Sequence, residues 1–163
     1  MLPVVEMDDL PEWLPGLIEF GGEWNAFIDD VYAKFCDDLV HNRVSFQGTR
    51  VSVRRMPESN GKGYGFWHCV SEGQHEDARI PDLERCKRVC WIRAIIENHG
   101  DPSIGHWTNR RGSETNHLLW LREQYLVVLA ERSDYYLLKT AYVTGREHTK
   151  AKLRRERDTA KND

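Results

Sequence analysis

The sequence predicts an α+β fold, with helices packed on an antiparallel sheet, from three observations. Residues 23–40 and 81–98 carry apolar side chains at intervals of three and four, which is typical of helices with one buried face. Apolar segments of the last third follow one another across short turns, as in hairpins of antiparallel strands. The chain has 163 residues, 40% of them apolar and 30% charged, so it can bury a core. We expect a helical N-terminal part on a sheet of four to five strands, a long central helix and a basic C-terminal helix.

Residues 1–60 are predicted to form an acidic helical segment and a short β-hairpin, in the same domain as the α+β region of residues 61–163. The helix runs from about Glu23 to Val40. The hairpin joins Val44–Phe46 to Arg50–Arg54 through a turn at Gln47–Thr49. The apolar stripe of the helix consists of Trp24, Phe27, Ile28, Val31, Phe35 and Leu39.

The middle of the chain is predicted to contain an aromatic strand and the long central helix. Tyr64–Val70 is rich in aromatic residues, which favours a strand, and a polar loop follows from Ser71 to Arg79. Pro81 and Asp82 suit the start of a helix, and the sequence Asn98–Gly100 ends it.

The last third is predicted to be a run of strands and a final helix. A short strand at Ile104–Thr108 precedes a charged turn at Asn109–Glu114. Three strands then follow in hairpin succession: Asn116–Leu121, Tyr125–Ala130 and Tyr135–Val143. A basic helix begins at Gly145 and ends near Asp158.

The formal net charge of −3 hides an asymmetry along the chain. Residues 1–40 carry a net −9, whereas residues 41–163 carry a net +6. This split suggests an anionic ligand for the basic part, with ordinary solvated surface charge as the alternative. No apolar run approaches the ~20 residues of a membrane span, and the N-terminus lacks the pattern of a secretory signal. We therefore expect a cytoplasmic protein with no membrane partner.

The four cysteines, Cys36, Cys69, Cys86 and Cys90, are spaced too irregularly for a disulfide framework. Cys86 and Cys90 lie one helical turn apart beside apolar neighbours, which favours buried reduced thiols. A zinc site that adds Cys69 and His68 to this pair is the alternative. Because neither CxxC nor HExxH is present, we expect no metal and no cofactor.

The first candidate for chemistry is His68, in the predicted strand that contains Phe66 and Trp67. Neighbouring strand residues point to opposite faces, so His68 faces outward if Trp67 faces the core. An imidazole with an ordinary pKa of about 6.5 can act as a general acid or base near neutrality. A hydrogen-bonded structural histidine is the alternative.

The second candidate is a set of cations at the start of the central helix. It consists of Arg79, Arg85, Lys87, Arg88 and Arg93. The early backbone N–H groups of a helix favour phosphate, and arginine binds phosphate through paired hydrogen bonds. A solvated helix face explains Arg85 and Arg93 equally well.

The third candidate is the last strand with the helix that follows it. Alternation places the even-numbered residues from Tyr136 to Tyr142 on one face, which we expect to be open and polar around Thr140. His148 and Lys152 lie one turn apart on the helix, and Lys150 adds a further cation. A solvated basic tail is the alternative for this helix.

Imidazole, hydroxyl and cationic groups on one sheet face suit the cleavage of RNA. RNA carries its own nucleophile, the 2′-hydroxyl, so an enzyme needs a base, an acid for the leaving 5′-oxygen and cations for the developing charge. This route requires no metal. The chain lacks the clustered carboxylates that are typical of a two-metal nuclease.

From Phe66 to Asp158 the chain resembles the phage-type branch of the barnase–EndoU–colicin–RelE-like (BECR) ribonuclease superfamily. The matching segments are Phe66-Trp67-His68, Arg79, Arg85–Ile92, Ile104–Trp107, Tyr125–Leu129, Tyr136–Tyr142 and the basic helix with His148. The resemblance implies a helical part packed on a four- or five-stranded antiparallel sheet. It also implies metal-independent RNA cleavage that leaves a 2′,3′-cyclic phosphate.

The resemblance further implies roles for the candidate residues. His68 would be the general base or acid, and His148 the candidate for the second proton transfer. Thr140 and Tyr142 would line the site on the sheet face. The predicted contacts to RNA phosphate are Arg79, Lys87, Arg88 and Lys150.

Two functions remain open from the sequence. The first is an endoribonuclease, acting as a toxin or prophage effector, whose partners are RNA and an antitoxin or other protein. The second is a non-catalytic phage or prophage module that binds nucleic acid or protein through the same basic face, with salt-sensitive binding and no turnover. A separate hypothesis has the acidic residues 1–40 fold over the basic face as an intramolecular mimic of RNA.

Overall fold

The structure, a computed structural model, describes residues 9–73 and 79–161 and shows an α+β protein. The helices are α1 (Trp24–Cys36), α2 (Tyr64–Val70), α3 (Leu83–Lys87), α4 (Val89–Glu97) and α5 (Glu147–Lys161), with a π-helical turn at Asp37–His41 after α1. The strands are β1 (Ser45–Phe46), β2 (Thr49–Ser52), β3 (Ser71–Glu72), β4 (Ile80–Pro81), β5 (Ile104–Arg111), β6 (Glu114–Leu121), β7 (Tyr125–Glu131) and β8 (Tyr136–Val143). No helix in the described ranges has the length and apolarity needed to cross a membrane.

The main sheet has six strands in the order β1-β2-β8-β7-β6-β5. The strands β5 to β8 are antiparallel neighbours, as predicted. However, β2 pairs with β8 in parallel, with Val51 opposite Tyr136. The expected sheet of four to five antiparallel strands is therefore corrected to a mixed sheet of six. The short β1–β2 hairpin would be marginal alone and gains stability by extending the edge of the sheet.

The sheet has two covered faces. One face, which we call the main face, carries Leu119, Val127 and Ala141 and packs against α1 to α4. The apolar stripe of α1, including Phe35, and that of α4, including Ile92, belong to this same buried cluster. The predicted division near residue 60 does not separate two cores, because the segments on both sides contribute to this cluster and to the main sheet.

The opposite face, which we call the α5 face, is covered by the C-terminal helix. Leu153 of α5 packs against Trp107, Trp120 and Leu126 in a second buried cluster. A β-bulge in β8 leaves Lys139 without a partner in β7, since Val128 pairs with Thr140 and Leu129 with Leu138.

The bulge corrects the predicted alternation in the last strand. Leu138 lies in the buried cluster of the main face, whereas Tyr142 packs with the cluster under α5. The even-numbered residues of β8 therefore do not share one face, and the face that carries Tyr142 is covered by a helix rather than open.

The segment Tyr64–Val70, predicted as a strand, forms helix α2 instead. Its buried residues Gly65, Phe66, Cys69 and Val70 recur at a spacing of four, which is a helical period. Gly65 lies so close to the segment after β2 that an added Cβ would stand 2.5 Å from Val53 Cγ1 and 3.0 Å from the Arg54 carbonyl oxygen. The close approach of backbones at this glycine lets α2 pack where a larger residue would not.

The predicted central helix starts at the expected cap but is interrupted. The Asp82 carboxylate accepts hydrogen bonds from the backbone N–H groups of Glu84 and Arg85. At Arg88 the backbone leaves helical geometry (φ −109°, ψ 12°), and this residue joins α3 to α4.

The β5–β6 hairpin is longer than predicted. The charged segment Asn109–Glu114, expected as a turn, continues both strands around the two residues Gly112 and Ser113. Gly112 has a φ of +64°, which glycine adopts without strain. The tight turn sets the register of the hairpin and places Asn109 directly opposite Asn116.

Candidate functional site

A cavity of about 410 Å³ lies between the α5 face of the sheet and helix α5. The residues Thr140, Tyr142 and His148, which the sequence predicted as catalytic, line it together. Its apolar lining comes from Leu118, Val128 and Leu153, and its remaining lining comes from Asn109, Arg111, Asn116, Thr149, Lys152 and Glu156. We call this the α5 cavity.

One stripe of α5 supplies the chemistry on the helix side of the cavity. His148, Lys152 and Glu156 follow one another at intervals of four residues, so they lie above one another on the same helix face. His148 and Lys152 are exposed, and Glu156 is half-buried. Within the described residues Lys152 has no ion pair, so its charge is available to an anion at the cavity.

The helix is held in place by apolar packing and by ion pairs at its C-terminal half. Leu153 is its buried apolar contact, at 4% exposure. Arg154 and Arg157 both pair with Glu123, and the Arg157 guanidinium lies over the Trp120 ring at 5.5 Å. The hydrogen bond from Arg154 is the largest cause of the lowered pKa of Glu123. The carboxylate therefore stays charged and keeps its ion pairs with helix α5.

Four polar side chains form a hydrogen-bonded row along one wall of the α5 cavity. Arg111 Nη2 donates to Glu156 Oε1 at 2.8 Å, and Asn109 Nδ2 donates to the same oxygen at 2.7 Å. Asn116 Nδ2 donates to Asn109 Oδ1 at 3.1 Å. Asn116 is 6% exposed, and its own Oδ1 has no hydrogen-bond partner among the described residues.

Thr140 and Tyr142 connect the cavity to the helices at the edge of the sheet. Thr140 Oγ1 donates a hydrogen bond of 2.7 Å to the carbonyl oxygen of His68 in α2. The Arg85 guanidinium lies 5.6 Å from the centre of the Tyr142 ring. Burial raises the pKa of Tyr142 although Arg85 opposes the shift, so the phenol keeps its proton at neutral pH and can donate a hydrogen bond.

The structure places His68 on helix α2 rather than on the predicted strand. Its ring stacks on Tyr64 at 4.3 Å between ring centres, and the Arg54 guanidinium lies 4.1 Å from the same tyrosine ring. The His68 side chain is not among the groups that line the α5 cavity. The two predicted proton-transfer groups, His68 and His148, are thus brought to the same region of the sheet but not to one cavity.

The predicted phosphate-binding arginines are engaged in the fold. Arg79 donates to Ser71 Oγ at 3.0 Å, to the Gly73 carbonyl oxygen at 3.1 Å and to the Ser71 carbonyl oxygen. Arg88 is 4% exposed, donates to Glu84 Oε1 at 2.8 Å and lies over the Trp91 ring. The helix N-terminus expected to bind phosphate is occupied by the Asp82 cap. Both arginines and the helix N-terminus at the expected phosphate site are thus already bound to groups within the protein.

The two predicted lysines also lie outside the α5 cavity. Lys87 is half-buried, and its ammonium lies 3.8 Å from Glu84 Oε2. Lys150 is on α5 but not among the residues that line the cavity. Lys152, two residues after Lys150 and one helical turn after His148, lines the cavity instead.

The cysteines are free thiols, and burial dominates their chemistry. Burial raises the pKa of both Cys69 and Cys86 to about 12 and that of Cys90 to about 11, so all three stay protonated. In the described ranges no cluster of histidine, cysteine and carboxylate groups could hold a metal ion. The arrangement favours buried reduced thiols over the alternative of a zinc site.

The described part of the acidic segment lies on the far side of the sheet from the α5 cavity. Helix α1 packs against the main face, and Asp29 pairs with Lys62 at 2.6 Å on that side. Residues 9–40 therefore do not cover the basic helix, which corrects the hypothesis of an RNA mimic for this range. Residues 1–8 lie outside the described ranges.

A second group of titratable side chains, which sequence analysis did not single out, lies on the main face. His117 Nε2 and Glu131 Oε1 are 2.7 Å apart, and His106 Nε2 and His117 Nδ1 are 2.9 Å apart. Phe46 packs edge-on against both imidazole rings. Burial first, and then the nearby His117 and His99, lowers the pKa of His106 to about 4. This row joins the β1–β2 hairpin to the sheet.

Four residues of the α5 cavity, Asn109, Arg111, Asn116 and Glu156, were missed by sequence reasoning. Gly112-Ser113 is a two-residue hairpin signal, and its register alone would have paired Asn109 with Asn116. Glu156 follows His148 by eight residues, which puts both on one helix face.

Comparison of the chain with models of known protein families, with curated proteins and with solved structures finds no match.

Proposed function

We propose that the protein is a metal-independent endoribonuclease that cleaves RNA at the α5 cavity by attack of the 2′-hydroxyl. The observation that carries this proposal is the meeting of His148 and Lys152 of α5 with Thr140 and Tyr142 of β8 around one cavity. A proton-transfer group, a cation and hydrogen-bond donors in one place are what this reaction needs.

In the proposed reaction the 2′-oxygen forms a bond to phosphorus while the bond from phosphorus to the 5′-oxygen breaks. One group takes the proton of the 2′-hydroxyl, and another gives a proton to the 5′-oxygen. His148 at the exposed mouth is the first candidate, because an imidazole changes protonation near neutral pH. Glu156, two turns further along the same stripe, is the second lining group that can exchange a proton.

The charge that develops on the phosphate requires cations and donors nearby. Lys152 lies on the helix stripe between His148 and Glu156, and Arg111 reaches the cavity from β5. Tyr142, which keeps its proton, can donate a hydrogen bond to a phosphate oxygen. These groups replace Arg79, Lys87 and Arg88 as our candidates for phosphate contact.

His68 remains a competing proposal for the proton-transfer group. The hydrogen bond from Thr140 to the His68 carbonyl oxygen ties α2 to the wall of the α5 cavity. Variants of the two histidines separate the proposals, because only one of the rings lines the cavity.

The test is incubation of the purified protein with mixed cellular RNA in EDTA, with His148→Ala and His68→Ala in parallel. We expect the wild-type protein to leave 2′,3′-cyclic phosphate ends. His148→Ala should lower the cleavage rate by about 100-fold or more, which is typical of a lost general acid or base. His41→Ala is the matched control, since this exposed histidine lies on the π-helical turn after α1.

The outcomes are distinct. Cleavage by His148→Ala at the wild-type rate would exclude His148 from the mechanism, and a loss confined to His68→Ala would move the chemistry to α2. Absence of cleavage by the wild-type protein, with or without added divalent ions, would contradict the ribonuclease proposal.

A non-catalytic RNA-binding module is the second candidate. The observation that favours it is the engagement of Glu156 by Arg111 and Asn109, which occupies the carboxylate needed for a second proton transfer. It predicts RNA binding that weakens with salt and no turnover. Lys152→Ala should then reduce the slope of log K against log salt by about 0.7, the value for one phosphate contact of a single strand.

A ribonuclease of this kind would act as a toxin or prophage effector restrained by an antitoxin or another partner protein. Induced expression in a bacterial host is expected to slow growth, and the His148→Ala variant is expected to relieve the effect. Equal growth arrest by wild type and His148→Ala would show that the effect does not depend on cleavage.

A further inference from the structure

The row of side chains along the α5 cavity has a fixed hydrogen-bond direction that begins at Arg111. A guanidinium can only donate, so the Glu156 oxygen that it contacts must accept. The same carboxylate oxygen accepts from Asn109, which fixes the amide of Asn109 with its Nδ2 toward Glu156. The opposite orientation would place the Asn109 oxygen against a carboxylate.

The orientation of the Asn109 amide fixes the orientation of the Asn116 amide. Because Nδ2 of Asn109 faces Glu156, its Oδ1 faces Asn116 and must accept from Asn116 Nδ2. Asn116 therefore ends the row with Oδ1, a hydrogen-bond acceptor without a partner. The cross-strand pairing of Asn109 with Asn116 holds the two amides in this register.

The unpaired Oδ1 of Asn116 determines which ligand groups can form a hydrogen bond with it. Asn116 Oδ1 is buried beneath neighbouring side chains, so a ligand group that enters the cavity and parts them can donate to this atom. A phosphate oxygen cannot, because it is itself an acceptor. An N–H or O–H donor on the ligand can, and leaving such a buried acceptor unpaired is unfavourable.

The rest of the cavity suits a planar, largely apolar group next to a phosphate. Leu118, Val128 and Leu153 line it beside the Tyr142 ring, while Lys152 and His148 stand exposed at its rim. A nucleobase among the apolar side chains, with its phosphate at the cationic rim, would use both parts.

We propose that Asn116 is a specificity-determining residue that accepts a hydrogen bond from the exocyclic amino group of a nucleobase. This inference rests on the proposed RNA function and deepens it. Adenine, cytosine and guanine offer such an amino donor, whereas uracil presents carbonyl oxygens at the corresponding positions and only a ring N–H between them. The α5 cavity is therefore selective for amino-bearing bases over uracil.

The experiment compares two nucleotides that differ only in the amino group. Adenosine 5′-monophosphate and purine riboside 5′-monophosphate are titrated into the full chain, by calorimetry and by the side-chain amide NMR signal of Asn116. We expect adenosine 5′-monophosphate to bind about tenfold more tightly, the order expected for one hydrogen bond to a buried polar group. Uridine 5′-monophosphate should bind no better than purine riboside 5′-monophosphate.

Variants separate recognition of the base from a structural role. Asn116→Ala should bring the affinity ratio of the two purine nucleotides close to one, while purine riboside 5′-monophosphate binds as it does to the wild type. Asn98→Ala, in the α4 C-cap, is the matched control and should keep the tenfold ratio. The wild-type comparison stands by itself if Asn116→Ala fails to fold.

Each contrary outcome has its own meaning. Equal affinity of the wild type for both purine nucleotides overturns the base assignment and leaves RNA cleavage untouched. The same holds if RNA is cleaved but neither nucleotide shifts the Asn116 signal. A tenfold loss with 2′-deoxyadenosine 5′-monophosphate instead would assign the acceptor to the ribose and also overturn it. Absence of nucleotide binding, RNA binding and cleavage together would remove the proposed function as well.

Discussion

At the scale of single residues, the molecule separates polar groups that hold the fold from polar groups that face a cavity. Hydrogen bonds to backbone carbonyl oxygens and carboxylates within the helical part engage the guanidinium groups of Arg79, Arg85 and Arg88. Lys152 and His148 are exposed beside the α5 cavity. A buried arginine that lost its partner would leave an uncompensated charge, so the three arginines cannot take the place of Lys152 and His148 at the cavity.

His106 makes the stability of the fold depend on pH. Its pKa falls from the ordinary value of 6.5 to about 4 on folding, so the unfolded chain binds a proton that the folded chain excludes. The stabilisation is complete above pH 6.5 and is lost as the pH falls toward 4, by no more than about 3 kcal/mol for this half-buried ring. Urea unfolding across this range should show the decline.

The matched variants are His106→Gln, which keeps a donor for His117, and His41→Gln at an exposed site. We expect His106→Gln to reduce the dependence of the unfolding free energy on pH between 6.5 and 4, and His41→Gln to leave it unchanged. An unchanged dependence in His106→Gln would show that other groups, such as carboxylates, account for the decline.

At the scale of elements, helix α5 converts one face of the sheet into a site. Without α5, Trp107, Trp120 and Leu126 would form an exposed apolar surface. With it, the cavity has walls from a sheet and from a helix, and the helix stripe of His148, Lys152 and Glu156 is aimed at Thr140 and Tyr142. The docking of α5 therefore determines both stability and the geometry of the site.

Leu153→Ala is expected to loosen this docking. Truncation of the buried leucine should lower the free energy of unfolding by about 2–5 kcal/mol, because it leaves a cavity under α5. Hydrogen exchange of the α5 amides should accelerate more than that of α4. Arg155→Ala, at an exposed position of the same helix, should change stability by no more than about 0.5 kcal/mol.

One result would contradict the role of Leu153 in the docking of α5. If Leu153→Ala and Arg155→Ala were equally stable and α5 exchanged as in the wild type, the ion pairs of Arg154 and Arg157 with Glu123 would be the dominant anchor instead.

At the scale of the whole molecule, the sheet separates an acidic side from a basic one. The acidic exposed residues of α1 and the π-helical turn, such as Asp30 and Asp37, belong to elements on the main face, and α5 lies on the other. A helix packs roughly 10 Å from a sheet on each side, so the two surfaces are separated by more than the Debye length of about 8 Å at physiological salt.

Neutralising the acidic side should therefore leave RNA binding almost unchanged. For the double variant Asp30→Asn and Asp37→Asn, we expect an RNA affinity at physiological salt within about twofold of the wild type. Filter binding or fluorescence anisotropy measures this directly. A tenfold gain in affinity would show that the acidic segment does screen the basic helix, as the RNA-mimic hypothesis held.

The sequence predicted several elements correctly because their patterns are local. Helices α1 and α5 and strands β6 to β8 lie within a few residues of their expected bounds. Each has an uninterrupted period or clear turn residues at its ends. Asp82 was placed correctly at the helix start for the same reason, since a cap is recognised from its neighbours in sequence.

The errors occurred where distant contacts decide the structure. The aromatic residues of Tyr64–Val70 favour a strand locally, but in the folded chain the segment is a helix that buries residues at a spacing of four and packs closely at Gly65 against Val53 and Arg54. The bulge at Lys139 reverses the faces of β8, and the residues that mark it become apparent only when β8 pairs with β7.

The residues of the α5 cavity divide in the same way, into those that a local pattern predicts and those that only distant contacts bring to the site. Local periodicity identified Thr140, Tyr142 and His148 as exposed polar candidates on a strand and a helix. Asn116 and Glu156 become part of the site only when the β5–β6 register and the docking of α5 bring them together. Periodicity and capping are properties of a few neighbouring residues and can be read along the chain. Faces, register and cavities depend on contacts between residues far apart in sequence, so only the folded molecule defines them.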